Sequence, residues 1–169
     1  MRRLLLLVAA VAAVAVAVTP RGDGDGRAAP RDLGGRVLRV VDGDTIRVRV
    51  GGRSERVRYI GVDTPESKKP GTPVECYARR AAAENERLVG GERVRLVLDV
   101  EERDRFGRLL AYVYRARDNR FVNAALVRDG FARTLTVPPN VRFAERFATL
   151  ATQARRAGRG LWSACAEAE

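Results

Sequence analysis

The chain has 169 residues, of which 32 are lysine or arginine and 21 are aspartate or glutamate, and it contains no histidine. The absence of histidine excludes Ser–His and Cys–His nucleophiles and histidine-bound zinc, and two cysteines are too few for a thiolate zinc site. Any bound metal would have oxygen ligands, which favours calcium, magnesium or manganese. The formal net charge of +11 favours a polyanionic partner. A coding bias would explain why every basic residue except Lys68 and Lys69 is arginine, but it would not explain the net charge.

The first residues have the pattern of an export signal. Arg2 and Arg3 precede an apolar run of 15 residues, Leu4–Val18, and this order predicts a signal peptide over residues 1–19. An uncleaved membrane anchor is the alternative, although the run is shorter than the roughly 20 residues of a membrane-spanning helix. We therefore expect a secreted protein, or one anchored to a membrane only through residues 1–19.

Residues 20–35 consist mainly of Pro, Gly, Asp and Arg. This composition predicts a flexible linker, because it offers little apolar surface for burial. A single folded domain is predicted over residues 36–169.

The folded part begins with three predicted strands. RVLRVV (36–41) is followed by a DGD turn, and residues 46–50 alternate apolar and basic side chains, as in a strand with one buried face. Gly51-Gly52 predicts a two-residue hairpin turn, after which residues 53–62 return as the partner strand. In that register Thr45 lies opposite Arg58, which brings Arg58 beside Asp44.

Three helices and two more strands follow. A helix is predicted over residues 74–91, ending at Gly90-Gly91, and strands are predicted at 93–100 and 109–114. A short helix over 121–130 precedes the break VPPN, and the last helix covers 141–157. Its apolar stripe predicts packing on the core, and a membrane-surface helix is the weaker alternative. Five short antiparallel strands with a helix after the third predict a mainly β, α+β fold: a closed OB-type barrel with three helices.

The two cysteines lie far apart in the chain. Cys76 stands near the start of the first predicted helix and Cys165 follows the last one. Export would place both in an oxidising environment, which predicts one disulfide between them. Two unpaired buried thiols are the alternative.

The stretch RYIGVDTPES (58–67) places Asp63 and Glu66 just after a strand. Gly61 allows the chain to bend back, which would carry Asp63 towards Asp44. Two carboxylates that converge with a main-chain carbonyl suit a hard dication such as calcium. Phosphodiester hydrolysis gathers charge on the non-bridging oxygens, and Arg58 is one candidate to bind them. Each residue taken alone is also compatible with turn capping or solvated surface charge.

The loop ERDRFGR (102–108) supplies Arg105 and Arg108 as further candidate phosphate ligands beside a flexible Gly107. With it, a set of motifs resembles the thermonuclease family in order and spacing, from about Val37 to Trp162. These motifs are VVDGDT, RYIGVDTPE, DRFGRLLAY, FVNAALVRDGFA and GLW. The family has a five-stranded OB barrel with three helices. It cleaves DNA and RNA at the phosphorus–O5′ bond and leaves 3′-phosphates.

The resemblance implies roles for individual residues. Asp44 and Asp63 correspond to the calcium carboxylates, and Thr64 would contribute its carbonyl oxygen. Glu66 corresponds to the residue that positions or activates the attacking water. The pair that binds the scissile phosphate is Arg58 and Arg108.

The chain departs from the family pattern at several positions. TLTV, Thr134–Val137, stands where the type member has base-stacking aromatics, and Phe106 replaces a tyrosine. We expect DNA and RNA as substrates, Ca²⁺ as cofactor and a monomeric protein. The alternatives are an OB-fold module that binds nucleic acid without cleaving it and an export-anchored structural protein with a basic surface. Retention of the charged site residues favours the enzyme.

Overall fold

The computed structural model describes residues 31–66, 71 and 73–165. The predicted signal or anchor segment and linker residues 20–30 lie outside this part of the chain. None of the helices in the described ranges is long and apolar enough to cross a membrane. The strands are β1 (Asp32–Asp42), β2 (Thr45–Val50), β3 (Arg53–Tyr59), β4 (Gly61–Asp63), β5 (Arg93–Val97), β6 (Leu109–Arg115), β7 (Arg120–Phe121) and β8 (Arg133–Leu135). The helices are α1 (Ala78–Val89), α2 (Val122–Arg128), α3 (Ala144–Arg156) and α4 (Leu161–Ala164).

The five long strands form a closed barrel. β1 pairs with β2 and β5, β2 pairs with β3, and β5 pairs with β6, all antiparallel. β6 then pairs with β3 and closes the barrel, but this last pairing is parallel. The predicted five-stranded α+β barrel is confirmed, and the prediction of antiparallel strands throughout is corrected. The parallel pair is possible because α1 and β5 lie between β3 and β6 in the chain and provide the long crossover that parallel strands need.

The hairpin register agrees with the sequence prediction. Thr45 lies opposite Arg58 across β2 and β3, and the N–H of Tyr59 donates to the carbonyl of Asp44 at 2.9 Å. The Gly51-Gly52 turn has positive φ at both residues, as a two-residue hairpin turn of this kind requires. The turn therefore determines which side chains meet at the start of β2.

The first strand begins earlier than predicted. β1 starts at Asp32, and residues 32–35, assigned to the linker from composition, pair with β5 from Asp32↔Val97 to Gly35↔Val94. A β-carbon on Gly35 would lie 2.4 Å from Cγ1 of Val48, so this glycine serves close packing of neighbouring strands. Backbone pairing with β5 stabilises a segment whose own strand propensity is low.

The predicted third strand is divided in two. β3 ends at Tyr59, and after Ile60 the short β4 pairs with β8 in a second, two-stranded sheet. Buried Asn123 of α2 fixes the break, because its Nδ2 donates to the carbonyl of Ile60 at 2.9 Å. Its Oδ1 accepts from the N–H of Val113 in β6 at 2.9 Å. The division places Val62 and Asp63 in the second sheet, outside the barrel strands.

The core fills the barrel and continues under α2 and α3. Ile46, Val48 and Val57 are fully buried inside the barrel. Phe147 of α3 is also buried, within an aromatic cluster that includes Tyr112. The predicted packing of the last helix on the core is confirmed. α4 is an additional short helix that the sequence pattern did not predict, and α1 starts at Ala78 rather than at 74.

A disulfide joins Cys76 to Cys165. The predicted pairing is confirmed, and neither cysteine is free. The bond links the segment that precedes α1 to the residue that follows α4, with a separation of 89 residues.

Replacing Gly61 should test the bend that carries Asp63. Gly61 has a φ of 79°, and a β-carbon there would lie 2.3 Å from the Phe147 ring. We expect Gly61→Ala to lower the free energy of unfolding by about 2–4 kcal/mol, since backbone strain and overpacking add. The matched control is Gly52→Ala, where φ is 83° but nothing lies within 4 Å; its cost should be near 1 kcal/mol. Chemical denaturation measures both, and equal losses would show that the Phe147 contact is unimportant.

Candidate functional site

The turn between β1 and β2 packs directly against the chain after β4. A β-carbon on Gly43 would lie 2.6 Å from Oγ1 of Thr64 and 2.8 Å from two of its carbon atoms. Glycine at this position therefore lets the DGDT turn and the DTPE segment touch. Sequence reasoning treated the glycine as a simple bend, because its neighbour is 21 positions away in the chain.

Asp44 is the buried centre of this contact, with 6% of its surface exposed. Its Oδ2 accepts hydrogen bonds from the backbone N–H of Thr64 at 2.9 Å and from the Thr64 hydroxyl at 3.0 Å. Its Oδ1 accepts from the hydroxyl of Thr45 at 3.0 Å. The carboxylate is thus held in one orientation from both sides.

Arg58 links the two predicted metal carboxylates. Its Nη1 lies 2.8 Å from Oδ2 of Asp44, and its Nη2 lies 2.7 Å from Oδ1 of Asp63. Nη1 also donates to the carbonyl of Val62 at 2.8 Å. The predicted convergence of Asp63 on Asp44 is therefore present, and it occurs through the guanidinium between them.

The environment of Asp63 opposes its ionisation. Burial raises the pKa of Asp63, the Arg58 guanidinium acts against that, and the nearby charges of Asp44 and Glu75 raise it further. The net direction is upward. A cation beside Asp63 would favour its ionised form.

The chemistry of the donor set fits an oxygen-seeking dication. The predicted ligands are the carboxylates of Asp44 and Asp63 and the carbonyl of Thr64, all hard oxygen donors. Within the described ranges no group of three or more His, Cys, Asp or Glu side chains is arranged to hold a metal. The predicted set includes only two such side chains, so substrate and water oxygens would have to complete a shell.

Glu66 begins a segment whose ends are fastened together. Its backbone N–H donates to Oε2 of Glu75 at 3.0 Å, and the N–H of Glu75 donates to the carbonyl of Glu66 at 3.1 Å. Cys76, next in the chain, carries the disulfide. Sequence reasoning did not identify Glu75, because no local pattern marks a contact across nine residues.

The predicted phosphate ligands Arg58, Arg105 and Arg108 line one cleft of about 480 Å³. Leu135 and Val137, on the segment where the type member has aromatics, also line it. These two side chains are exposed. The structure therefore brings the three arginines together, with the two carboxylates contacting Arg58 at their side.

Asp104 holds Arg108 in place. Its Oδ2 accepts from Nε of Arg108 at 2.6 Å, and its Oδ1 accepts from the N–H groups of Phe106 and Arg108 at 2.9 and 3.0 Å. Burial alone would raise the pKa of Asp104, but these hydrogen bonds outweigh it and the net pKa is lowered. Sequence reasoning missed this residue, although an aspartate before a glycine turn is a known signal for such side-chain to backbone bonds.

A second residue that sequence reasoning missed, Asn85, fixes the backbone near Asp44. Asn85 of α1 is fully buried; its Nδ2 donates to the carbonyl of Asp42 at 3.0 Å, and its Oδ1 accepts from the hydroxyl of Tyr59 at 2.9 Å. Burial raises the pKa of Tyr59, so its hydroxyl remains a donor. Asn85 shares the buried face of α1 with Ala81 and Leu88, but no local pattern identifies its hydrogen-bond partners.

Asn140 lines the cleft and is bonded to the opposite loop. Oδ1 of Asn140 accepts from the N–H of Glu101 at 2.8 Å, and its Nδ2 donates to the carbonyl of Glu101 at 2.8 Å. These bonds fasten the VPPN segment to the loop that carries Arg105 and Arg108. The peptide bond between Pro138 and Pro139 in this segment is cis.

Comparison with known proteins identifies relatives of the chain. Residues 56–164 match the family model described as "Staphylococcal nuclease homologue". A thermonuclease of Staphylococcus hyicus is 41% identical over 128 residues, which cover 76% of this chain and 75% of that protein. A thermonuclease of Staphylococcus intermedius is 44% identical over 125 residues, covering 72% and 73%. Endonuclease YncB of Bacillus subtilis is 39% identical over 127 residues, covering 74% and 59%. The chain belongs to the staphylococcal nuclease homologue family.

Proposed function

We propose that this protein is a secreted, calcium-dependent nuclease that hydrolyses phosphodiester bonds of DNA and RNA and leaves 3′-phosphates. The observation that carries the proposal is the position of Arg58, which contacts Asp44 and Asp63 and also lines the cleft with Arg105 and Arg108. A phosphate in that cleft would meet guanidinium groups from strand β3 and from the loop that carries Arg105 and Arg108. The printed names of the relatives, thermonuclease and endonuclease, support the same activity.

Each proposed residue has a distinct task. Arg58 and Arg108 bind the non-bridging oxygens of the scissile phosphate, and Arg105 contributes to binding the same phosphate or its neighbour. Glu66 orients a water molecule for attack on phosphorus and takes up its proton. The phosphorus–O5′ bond then breaks, the leaving O5′ oxygen takes a proton from solvent and becomes a 5′-hydroxyl, and the phosphate stays attached to the 3′ oxygen of the preceding nucleoside.

The calcium ion is proposed to bind beside the carboxylates of Asp44 and Asp63. Asp44, Asp63 and the carbonyl of Thr64 would hold the ion, which would supply positive charge beside the phosphate. Arg58 contacts both carboxylates in the structure, so the guanidinium and the ion would share the same acidic neighbours. This arrangement holds Arg58 in a fixed position between its partners.

Export of the protein is part of the proposal. The charged and apolar pattern of residues 1–19 supports a signal peptide, and the Cys76–Cys165 disulfide is the kind of crosslink expected in an oxidising compartment. We propose that the protein acts as a monomer, with any membrane anchoring limited to residues 1–19.

Removal of calcium should abolish digestion of single-stranded DNA and of RNA. The change is addition of a calcium chelator in excess, and gel electrophoresis of plasmid, oligonucleotide and RNA substrates measures the result. Re-addition of Ca²⁺ is the control and should restore activity. Digestion that continues under chelation would refute the metal assignment, whereas binding without digestion under all conditions would support the non-catalytic module.

Substitutions at Glu66 and Arg58 should lower kcat strongly. We expect Glu66→Gln and Arg58→Lys each to reduce kcat by about tenfold to a hundredfold, because each removes a contact strengthened in the transition state. Glu145→Gln, on an exposed carboxylate of α3, is the control and should keep the wild-type rate. Thermal unfolding checks that each variant is folded, and an unchanged kcat in either site variant would remove that residue from the mechanism.

Asp104→Asn should reduce kcat/KM by about tenfold, because Arg108 would lose the carboxylate that orients it. The matched control is Glu55→Gln, which breaks the Glu55–Arg103 ion pair of the same loop without touching Arg108. Steady-state kinetics on one oligonucleotide compare the two variants. Equal losses would indicate that loop order in general, rather than the position of Arg108, supports catalysis.

A further inference from the structure

The outer face of the barrel beside the candidate site carries two rows of arginines. The rows follow from the strand register: Arg39, Arg47 and Arg56 are directly opposed across β1, β2 and β3, and Arg93, Arg36 and Arg49 are opposed across β5, β1 and β2. We name these the arginine rows. Arg47 is half-buried and the other five are exposed.

A β-bulge creates the first row. The register shifts between Val37 and Arg39, so Leu38 is the additional residue and Arg39 lies on the same face as Arg36 despite an odd spacing. Val37 lies opposite Val48, and both are buried. Without the bulge, strict alternation would send Arg39 towards the core.

The rows lack compensating carboxylates. Among the residues that the structure describes, none of the six forms an ion pair; Arg47 makes a long hydrogen bond of 3.5 Å to the hydroxyl of Ser54. The ion pairs that do form involve other arginines, such as Arg103 with Glu55. Like charges directly opposed on neighbouring strands are destabilising, so this face suits an external polyanion.

The rows run directly from the candidate site. Arg56 precedes Arg58 by two residues on β3 and therefore shares its face, and Thr45, opposite Arg58, precedes Arg47 in the same way. Successive positions on one face of a strand are about 7 Å apart. The first row thus lies one step from Arg58 and the second row two steps, in a line along the strands.

We propose that the arginine rows form an extended phosphate-binding track that holds a single nucleic acid strand beyond the scissile bond. This inference rests on the proposed nuclease function and extends it, because it assigns residues to substrate phosphates outside the cleft. Guanidinium groups recognise phosphates without reading bases, so the track is independent of sequence. Nucleic acid is favoured over an anionic membrane because the arginine rows lie in line with Arg58 along the strands.

The test compares Arg47→Gln/Arg49→Gln with a control of equal charge, Arg155→Gln/Arg156→Gln on the last turn of α3. The substrates are a dinucleotide, too short to reach the rows, and a single-stranded oligonucleotide of about 16 nucleotides. For the row variant we expect KM on the oligonucleotide to rise about tenfold and the slope of log affinity against log salt to weaken by about 1.4. Its kinetics on the dinucleotide should match the wild type, and the control variant should show neither change.

Other outcomes distinguish a failure of the proposed nuclease function from a failure of the phosphate-binding track. If the wild-type protein cleaves neither substrate, the proposed function fails, while oligonucleotide binding under chelator still tests the track. An unchanged oligonucleotide KM and salt slope in the row variant would overturn the track, as would an equal loss in the control. Loss of binding to phosphatidylglycerol vesicles with unchanged oligonucleotide binding would instead assign the rows to a membrane. The row variant should unfold no more easily than wild type, because it relieves repulsion.

Discussion

The geometry of the charged site depends on the guanidinium of Arg58. It lies between a buried carboxylate, Asp44, and a half-exposed one, Asp63, at 2.8 and 2.7 Å. Removing one partner of a buried ion pair leaves an uncompensated charge and typically costs about 3–5 kcal/mol. The arginine is therefore needed for the local fold, and the same contacts fix its position at the cleft. The Arg58 side chain therefore serves both the stability of the local fold and the proposed phosphate contact.

Neutral hydrogen bonds place the backbone that Arg58 requires. Asn85 binds the carbonyl of Asp42 from α1, and Asn123 binds the carbonyl of Ile60 from α2. Both asparagines are fully buried, and they satisfy carbonyls that leave the regular strand pairing on either side of the site. Because the helices pack on the core, these bonds tie the two turns to the core, in addition to the backbone bonds of Tyr59 to Asp44 and of Ile60 to Ala111. A site built in this way needs little rearrangement to receive a substrate.

Much of this arrangement follows from the sequence, and the remainder has identifiable causes. Alternation in residues 46–50 and the Gly51-Gly52 turn were enough to predict the Thr45–Arg58 register, because hairpin pairing is local. The parallel closure of the barrel was missed because it joins β3 and β6, which are separated in the chain by β4, α1 and β5. β8 was missed because all three of its residues are exposed and carry no apolar pattern. The close approach of Thr64 to Gly43, and of Glu75 to Glu66, depends on tertiary packing that no short pattern encodes.

The cleft and the outer face of the barrel, which meet at Arg58, differ in how their positive charges are balanced. This difference has an energetic consequence. On the cleft side, carboxylates accompany the guanidinium groups, as Asp104 accompanies Arg108. On the outer face, four directly opposed arginine pairs occur within the arginine rows, and each such pair costs roughly 0.2–1 kcal/mol when salt does not screen it. The Cys76–Cys165 crosslink, with its separation of 89 residues, is worth about 4–5 kcal/mol in the chain-entropy model. The stabilisation from the crosslink is therefore larger than the summed repulsion. The barrel can keep this basic face next to a site in which Arg58 and Arg108 contact carboxylates.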